Sequence, residues 1–237
     1  MLCSPSYLLA IVFFCSPSIC PPFVCRTATL TIYLTIYLPT FCLYPHSHSL
    51  SPSWRQLTIH NKPHVLISAL VTGLKHWHLR PNCTFYPKAN FYHMMDRIPK
   101  GSKVVFMFGE IDCREGIVVA VEKGRYETIE EGIDVCVDIF RNAILGVVEK
   151  YNFQVYIHPI VPVLTSTRPM VKAYNRALRA MVDAEPALTW LDFFPQLLTS
   201  DGRHLRPEFK IDSVHMNPAY LPHLRDALEC VLPGEAL

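Results

Sequence analysis

Two groups of charged residues in this sequence have the types and spacing that acid–base chemistry requires. The first is Asp212 with His215, in the stretch DSVHMNPAYL near the end of the chain. At this spacing the aspartate can accept the imidazole Nδ1–H and leave Nε2 to act as a general base. The alternative is an ordinary surface loop in which Asp212 caps a turn. We predict that Asp212 and His215 are catalytic.

The second group is FGEIDCRE, Phe108 to Glu115, which directly follows a hydrophobic run. Gly109 permits a sharp exit from a strand, and Glu110, Asp112 and Arg114 alternate with Ile and Cys. The alternative is a solvated loop with an Asp112–Arg114 or Glu110–Arg114 ion pair. We predict that these four residues bind a polar substrate.

Two further residues are candidates for the same pocket. His158 and Arg168 flank a loop that follows a predicted strand, where side chains can reach a site at the edge of a sheet. A structural histidine and an arginine at the start of a helix are the alternatives. No Cys-x-x-Cys or Cys/His spacing predicts a metal site, and no cofactor is expected.

The elements that must position these groups alternate between strands and helices. Continuous apolar runs predict buried strands at Lys103–Phe108, Gln154–Pro162 and Leu188–Phe194. Apolar spacing, a Thr128/Glu131 capping box and Asn217-Pro218 predict helices at Val65–His76, Thr128–Tyr151, Val171–Asp183 and Asn217–Val231. This alternation predicts an α/β fold of three layers, α/β/α, with a mostly parallel, flavodoxin-like sheet. Such sheets have their sites at the carboxyl ends of the strands.

The front of the chain, over positions 1–54, differs from the rest. It contains a single charge, Arg26, no glycine, and the duplication TIYLTIYL at Thr31–Leu38. A secretory or membrane signal is one interpretation, but no basic residue precedes the apolar core at Tyr7–Cys15. Translated simple-repeat DNA is the interpretation that we prefer. We therefore predict a non-globular segment over residues 1–54 and one domain over 55–237, and we leave the cellular location open.

Charge and cysteine content narrow the possible partners. The 237 residues carry a formal net charge of +2, from 22 basic and 20 acidic residues, and no acidic residue precedes Asp96. Positions 96–237 carry 16 basic and 20 acidic residues, a balance of −4, so nucleic acid is not an expected partner. Five of the nine cysteines lie between Cys3 and Cys42, which argues against a disulfide framework in the folded part. Membrane association is not expected either, although the apolar front end leaves it open.

The order of elements and two of the motifs resemble the SGNH (GDSL-type) hydrolase superfamily. FMFGEID is similar to the family's G-x-N-D block and DSVH to its D-x-x-H block. The stretch Lys103–Leu224 is identified as an uncharacterised branch in which GEIDCR and HPIVPVLTSTRPMV are signatures. The resemblance implies ester hydrolysis by a serine, with His215 as the base, Asp212 as its orienting acid, and a small-molecule or glycan ester as substrate.

The sequence departs from the family at two positions. Ile111 stands where the family has an asparagine that donates to the oxyanion. No Gly-Asp-Ser block occurs anywhere in the chain, and alignment with HNKPHVLISALVTGL places Pro63 on the serine, with Ser68 as the nearest hydroxyl, inside the predicted helix. We expect a sheet that is incomplete at its N-terminal strand and a domain that is truncated or inactive as written.

Two alternatives to the ester hydrolase come from other functional classes. One is a non-catalytic protein on the same fold that binds a glycan or another polar ligand through Glu110, Asp112 and Arg114. The other is a metal-dependent phosphoesterase with Glu110, Asp112, His158 and His215 as ligands.

Overall fold

A six-stranded sheet organises this computed structural model, which describes residues 52–162, 164–212, 215–233 and the backbone of 40–44. The strand order is β2-β3-β1-β4-β5-β6, and all neighbours are parallel except the β2–β3 hairpin. Without β2, the order of the other five is that of a flavodoxin-like sheet. The strands are β1 Thr40–Tyr44, β2 Gln56–Ile59, β3 Lys62–Ser68, β4 Lys103–Phe106, β5 Gln154–Ile157 and β6 Leu188–Trp190.

The three strands predicted from apolar runs are present, parallel and adjacent. Each ends earlier than its run, because the apolar residues continue into buried loops. Val104 and Phe106 point to one face of the sheet, whereas Val105 belongs to the core on the opposite face. A strand buried on both faces has no polar side to show, which explains the unbroken apolar run.

Helices cover both faces, so the predicted three-layer fold is confirmed. The helices are α1 Tyr86–Met95, α2 Ile117–Glu122, α3 Ile129–Tyr151, α4 Arg168–Asp183 and α5 Leu221–Val231. The first four pack on one face of the sheet, and α5 packs on the other. Helix α3 begins as predicted, with the Thr128 hydroxyl accepting from the Glu131 N–H at 3.1 Å. A short 3-10 turn, Pro218–Tyr220, precedes α5, and Asn217 caps it through the Ala219 N–H at 2.8 Å.

The helix predicted at Val65–His76 is wrong. Lys62–Ser68 is a strand instead, paired with β2 on one side and with β1 on the other. A two-residue turn joins it to β2, and both turn residues have positive φ, 47° at His60 and 61° at Asn61. This is the turn that matches the twist of a hairpin. A short apolar run fits a strand or a helix equally well by periodicity, and here the pairing decides.

The domain also begins earlier than the predicted boundary at 54/55. Thr40–Tyr44 forms β1, a central strand that pairs with β3 and β4, so the sheet is complete where we expected a gap. The described residues belong to one compact unit bounded by Leu38 and Leu237. The repeat at Thr31–Leu38 lies outside the described residues. Among the described helices, none is long and apolar enough to cross a membrane.

Candidate active site

The predicted catalytic pair has the geometry that its spacing suggests. His215 Nδ1 lies 2.7 Å from Asp212 Oδ2, and the His215 N–H donates to Asp212 Oδ1 at 2.8 Å. The two side chains are 34% and 49% exposed, so the pair lies at the surface. A carboxylate on Nδ1 favours the tautomer in which Nε2 carries the lone pair that a general base needs.

The loop that carries the pair is closed by its own backbone. The Ile211 N–H donates to the His215 carbonyl at 3.0 Å, and Lys210 pairs with Met216 in an antiparallel bridge. Asn217 strengthens this closure, because its side-chain amide donates to the Lys210 carbonyl at 3.1 Å. A two-sided closure of this kind fixes the Asp212–His215 geometry before α5 begins.

Two buried residues hold this loop against the carboxyl end of β4. Met216 and Tyr220 are each 1% exposed and pack in the same core as Val105 of β4. The Tyr220 hydroxyl lies 4.0 Å from the Met107 sulfur, just past the end of that strand. The Asp212–His215 pair is therefore anchored at the edge of the sheet where Gly109–Arg114 also lies.

Gly109 lies in the turn between β4 and the next helix. Its φ is +117°, and a Cβ there would lie 2.7 Å from Ile160 Cδ1 and 3.1 Å from His76 Cε1. Residues other than glycine are strained at such φ values. The helical segment that follows runs from Glu110 through a π-turn at Asp112–Gly116 into α2. Single π-turns inside helices are frequent at functional sites.

Glu110 is the buried acidic residue of this turn, and the charge of His215 affects its pKa. It is 5% exposed, and Arg114 Nη1 lies 3.8 Å from its Oε1. Burial raises the pKa of Glu110, whereas the charges of Arg114 and His215 lower it and that of Glu115 raises it. Because the charge of His215 affects this pKa, Glu110 and the Asp212–His215 pair lie in the same region of the molecule. We refer to Glu110, Arg114, Asp212 and His215 together as the candidate charged group.

Asp112 is placed differently from the prediction, because both of its oxygens hold the protein's own backbone. It is fully buried, and its carboxylate accepts from the His76 N–H at 2.8 Å and the Trp77 N–H at 3.2 Å. Burial raises its pKa to about 6, against the lowering effect of these amides. Asp112 therefore fixes the 3-10 turn His76–Leu79 beside the site.

His158 follows β5 and is buried, with 1% of its surface exposed. Its Nδ1 lies 2.7 Å from the Pro159 carbonyl, and burial lowers its pKa to about 4. Its ring packs edge-on against Phe193 and Tyr220, with centroids 4.7 and 5.7 Å away. This neutral imidazole supports Tyr220, which anchors the loop that carries Asp212 and His215.

Arg168 is buried at the start of α4 and fastens a neighbouring loop. Its guanidinium donates to the Pro162 carbonyl at 3.2 Å, to the Arg203 carbonyl at 2.9 Å and to Thr165 Oγ1 at 3.1 Å. One of its nitrogens also lies 3.0 Å from His204 Nδ1. These contacts give it the position of a helix-start arginine, the alternative considered from the sequence.

The hydroxyl nearest to the expected nucleophile position does not lie in a helix. Ser68 ends β3, and the Ser53 hydroxyl donates to its Oγ at 2.5 Å. Since β1 separates β3 from β4, the strands that carry Ser68 and the Gly109 turn are about 10 Å apart. Pro63 lies within β3 opposite Thr58 and does not occupy a strand-to-helix turn. The alignment that placed the serine position at Pro63 is therefore wrong.

Two residues outside the predicted pocket also shape this region. His76 stacks on Phe140, and its Nδ1 lies 2.6 Å from the Tyr174 hydroxyl. The Asn175 side chain accepts from the Ile160 N–H at 2.7 Å and donates to the Ile160 carbonyl at 2.9 Å, and so holds Ile160 against Gly109. No local sequence pattern predicts these contacts, because each residue and its partner are far apart in the chain.

The four residues considered as metal ligands do not form a metal site. Across residues 52–162, 164–212 and 215–233, no group of three or more His, Cys, Asp or Glu side chains could hold an ion. Asp112 and His158 are held by backbone groups instead.

The sequence matches no protein-family model and no curated protein at a significant level. Solved structures do match. One is a Streptococcus pneumonia protein provisionally named a platelet activating factor, with a TM-score of 0.56 and 14% identity over 84% of this chain and 86% of the other. Another is the OSK domain of Drosophila Oskar, with a TM-score of 0.51 and 12% identity over 83% and 88%. TesA follows with a TM-score of 0.46 and 14% identity over 80% and 95%. At these identities the first two establish a shared fold and nothing more specific.

Proposed function

We propose that this chain is an SGNH-type hydrolase-like domain for ester bonds, with an intact acid–base pair and an altered nucleophile block that leaves it inactive as written. The observation that carries the proposal is the 2.7 Å contact between His215 Nδ1 and Asp212 Oδ2, in the loop before α5. That loop packs beside the carboxyl end of β4, next to the switch point between β1 and β4 where ligands bind in such sheets.

In this proposal each residue has a defined task. Asp212 keeps the proton of His215 on Nδ1, and Nε2 removes the proton from a hydroxyl as it attacks the ester carbonyl. The backbone N–H groups of Glu110 and Ile111, in the first turn of a helix, are the available donors for the oxyanion. Ile111 has no side-chain donor, and the loss of one oxyanion donor typically costs about 100- to 1000-fold in rate.

The strand order supports a proposed position for the nucleophile, directly after β1. In the family the Gly-Asp-Ser block follows the first strand, which here is β1, ending at Tyr44. The sequence that follows is Pro45-His46-Ser47-His48, so a serine stands third, with proline and histidine in place of glycine and aspartate. Residues 45–51 lie outside the described residues. Proline has a fixed φ and no N–H, so it cannot replace a glycine that takes a sharp turn.

The test is to repair the block in the full-length chain. Pro45→Gly with His46→Asp should raise p-nitrophenyl acetate hydrolysis above the level of the unaltered chain. Either Ser47→Ala or His215→Ala, added to the repaired chain, should remove the gain, and His93→Ala, at an exposed position on α1, should not. As a matched control, Gly-Asp-Ser placed over Asn61–Pro63 should give no gain, because that segment is the β2–β3 turn and the start of β3.

A result in which the repaired chain gains no His215-dependent turnover would contradict the hydrolase proposal. Robust His215-dependent turnover by the unaltered chain would contradict the proposed inactivity. In that case, fluorophosphonate labelling and peptide mass spectrometry would locate the serine, with Ser68 included.

The ion pair between buried Glu110 and partly exposed Arg114 favours one alternative, a non-catalytic protein that binds a glycan or another polar ligand. Such a ligand would form hydrogen bonds to this pair, since the oxygens of Asp112 already hold backbone amides. Glycan-array binding by the unaltered chain that Arg114→Gln abolishes would support it, provided that the repaired chain stays inactive.

A further inference from the structure

A groove of about 530 Å³ lies between α4 and the segment that follows β6. None of the four residues of the candidate charged group, Glu110, Arg114, Asp212 and His215, is among its lining residues. Its size is within the range of pockets that hold small organic ligands, about 300–1,000 Å³. Side chains of α4 line one side of the groove, and side chains at and just after the end of β6 line the other.

One wall of the groove is a row of cations. Lys172, Arg176 and Arg179 follow each other at intervals of four and three residues, which places them on one face of α4. Asp192 is the only carboxylate among the lining residues, and it lies 2.8 Å from Arg179 Nη1. Arg179 also pairs with Asp183 at 3.7 Å, so the excess positive charge of this wall comes from Lys172 and Arg176.

Two of these cations have donors to spare. Lys172 Nζ donates to the Gly202 carbonyl at 2.5 Å, which uses one of its three N–H groups. Arg176 is exposed and has no carboxylate within 4 Å among the described residues. An exposed arginine whose guanidinium group has no carboxylate partner can bind a phosphate through two parallel hydrogen bonds.

The opposite wall is apolar and aromatic. Trp190, the last residue of β6, is 9% exposed and packs in the core beneath α1–α4, so its indole is fixed. Phe194 is half-buried and is followed by Pro195. A planar ring is the ligand group that such a surface covers best.

From this combination we propose that the groove binds a phosphate monoester attached to a planar aromatic ring. The phosphate, with a charge of about −1.5 to −2 at neutral pH, matches the excess of the cationic wall. Arg176 and Lys172 bind the phosphate, and the ring packs on Trp190 and Phe194. A carboxylate carries less charge than a phosphate and binds more weakly.

Phenyl phosphate is the probe, titrated into the full-length chain by calorimetry beside inorganic phosphate, phenol and benzoate. Phenyl phosphate should bind at least about tenfold more tightly than each of the other three, because only it fills both walls. Arg176→Gln should weaken its binding about tenfold or more. Arg225→Gln, at a solvent-exposed position on α5, is the matched control and should leave binding unchanged.

Tryptophan fluorescence gives an independent readout. Phenyl phosphate should change the emission of the unaltered chain, and Trp190→Phe should bind the ligand with that change removed. The chain has three tryptophans, and Trp54 and Trp77 lie outside the groove. Circular dichroism of each variant confirms that α4 and the sheet are intact.

Three results would each overturn the proposal. One is an absence of phenyl phosphate binding at millimolar concentration, and another is equal binding of inorganic phosphate. The third is an equal loss of affinity in the Arg176→Gln and Arg225→Gln chains. No arm measures esterase activity, so the outcome is independent of the proposed hydrolase function.

Discussion

Asp112 illustrates at the scale of one residue how a charged motif can serve the fold. Its carboxylate is fully buried and accepts two backbone N–H groups of the turn at His76–Leu79. Removing it would leave both amides without their acceptor, at a cost of about 1–3 kcal/mol each. Because both oxygens of Asp112 are used in this way, Glu110 rather than Asp112 is assigned to the candidate charged group.

The raised pKa of Asp112 makes the stability of the protein depend on pH. Since the pKa rises from 3.8 to about 6, the folded protein keeps a proton between about pH 4 and pH 6 that the unfolded chain releases. The contribution of this residue to the free energy of unfolding therefore falls as pH rises through that range. Urea unfolding should show the unaltered chain losing about 2 kcal/mol relative to Asp112→Asn between pH 4 and pH 7.

Asp138→Asn is the control for this measurement, because Asp138 lies on the exposed face of α3. The same pH-dependent difference in both variants would show that the effect does not come from Asp112.

Gly109→Ala should destabilise the fold by about 3 kcal/mol or more, measured by urea unfolding. The alanine would combine a φ of +117° with a Cβ only 2.7 Å from Ile160. Gly124→Ala is the matched control, because Gly124 also has a positive φ, +64°, but no atom within 4 Å of the added Cβ. Equal losses in the two variants would mean that the contact with Ile160 costs nothing.

Some of these residue roles could be predicted from the sequence and others could not. The contact between Asp212 and His215 depends on residues close together in the chain, so their spacing was sufficient. Asp112 binds the backbone of His76 and Trp77, far earlier in the chain, which no local pattern reveals. The position of Arg168 at the start of α4 was one of two alternatives, and only its partners distinguish them.

At the scale of the elements, β1 is the strand on which the sheet depends. It pairs with β3 and with β4, so its backbone groups are used on both sides. Cys42→Pro would remove a donor from the middle of this strand, and we expect it to prevent folding, as judged by loss of the far-ultraviolet circular dichroism of the native chain. Thr58→Pro in the edge strand β2 should be tolerated much better. Comparable losses in both variants would argue against a central position of β1.

Elements with an unambiguous sequence pattern followed from the sequence, whereas those with an ambiguous pattern did not. The helical apolar spacing over the 23 residues of α3 and the continuous apolar runs at β4 and β5 are sufficient to predict these elements. By contrast, the apolar residues of Lys62–Ser68 fit a helix as well as a strand, and only the pairing with β1 and β2 makes the segment a strand. The strand at Thr40–Tyr44 stands beside a segment of unusual composition, which concealed it.

For the whole molecule, the unit that folds is larger than the domain predicted from composition. Residues 55–237 lack β1, and we expect this fragment to aggregate or to unfold at a much lower temperature than residues 38–237. Differential scanning calorimetry of the two fragments measures the difference. A cooperative transition at the same temperature in both would show that β1 is dispensable.

The place of β1 in the sheet has a consequence for synthesis on the ribosome. Thr40 pairs with Val65, but Tyr44 pairs with Phe106, which is made much later. Until β4 leaves the exit tunnel, the nascent chain therefore carries a strand with one side unpaired. Such an edge can pair with another chain. Chaperone binding to stalled nascent chains should accordingly be strongest for lengths that expose β3 but not yet β4.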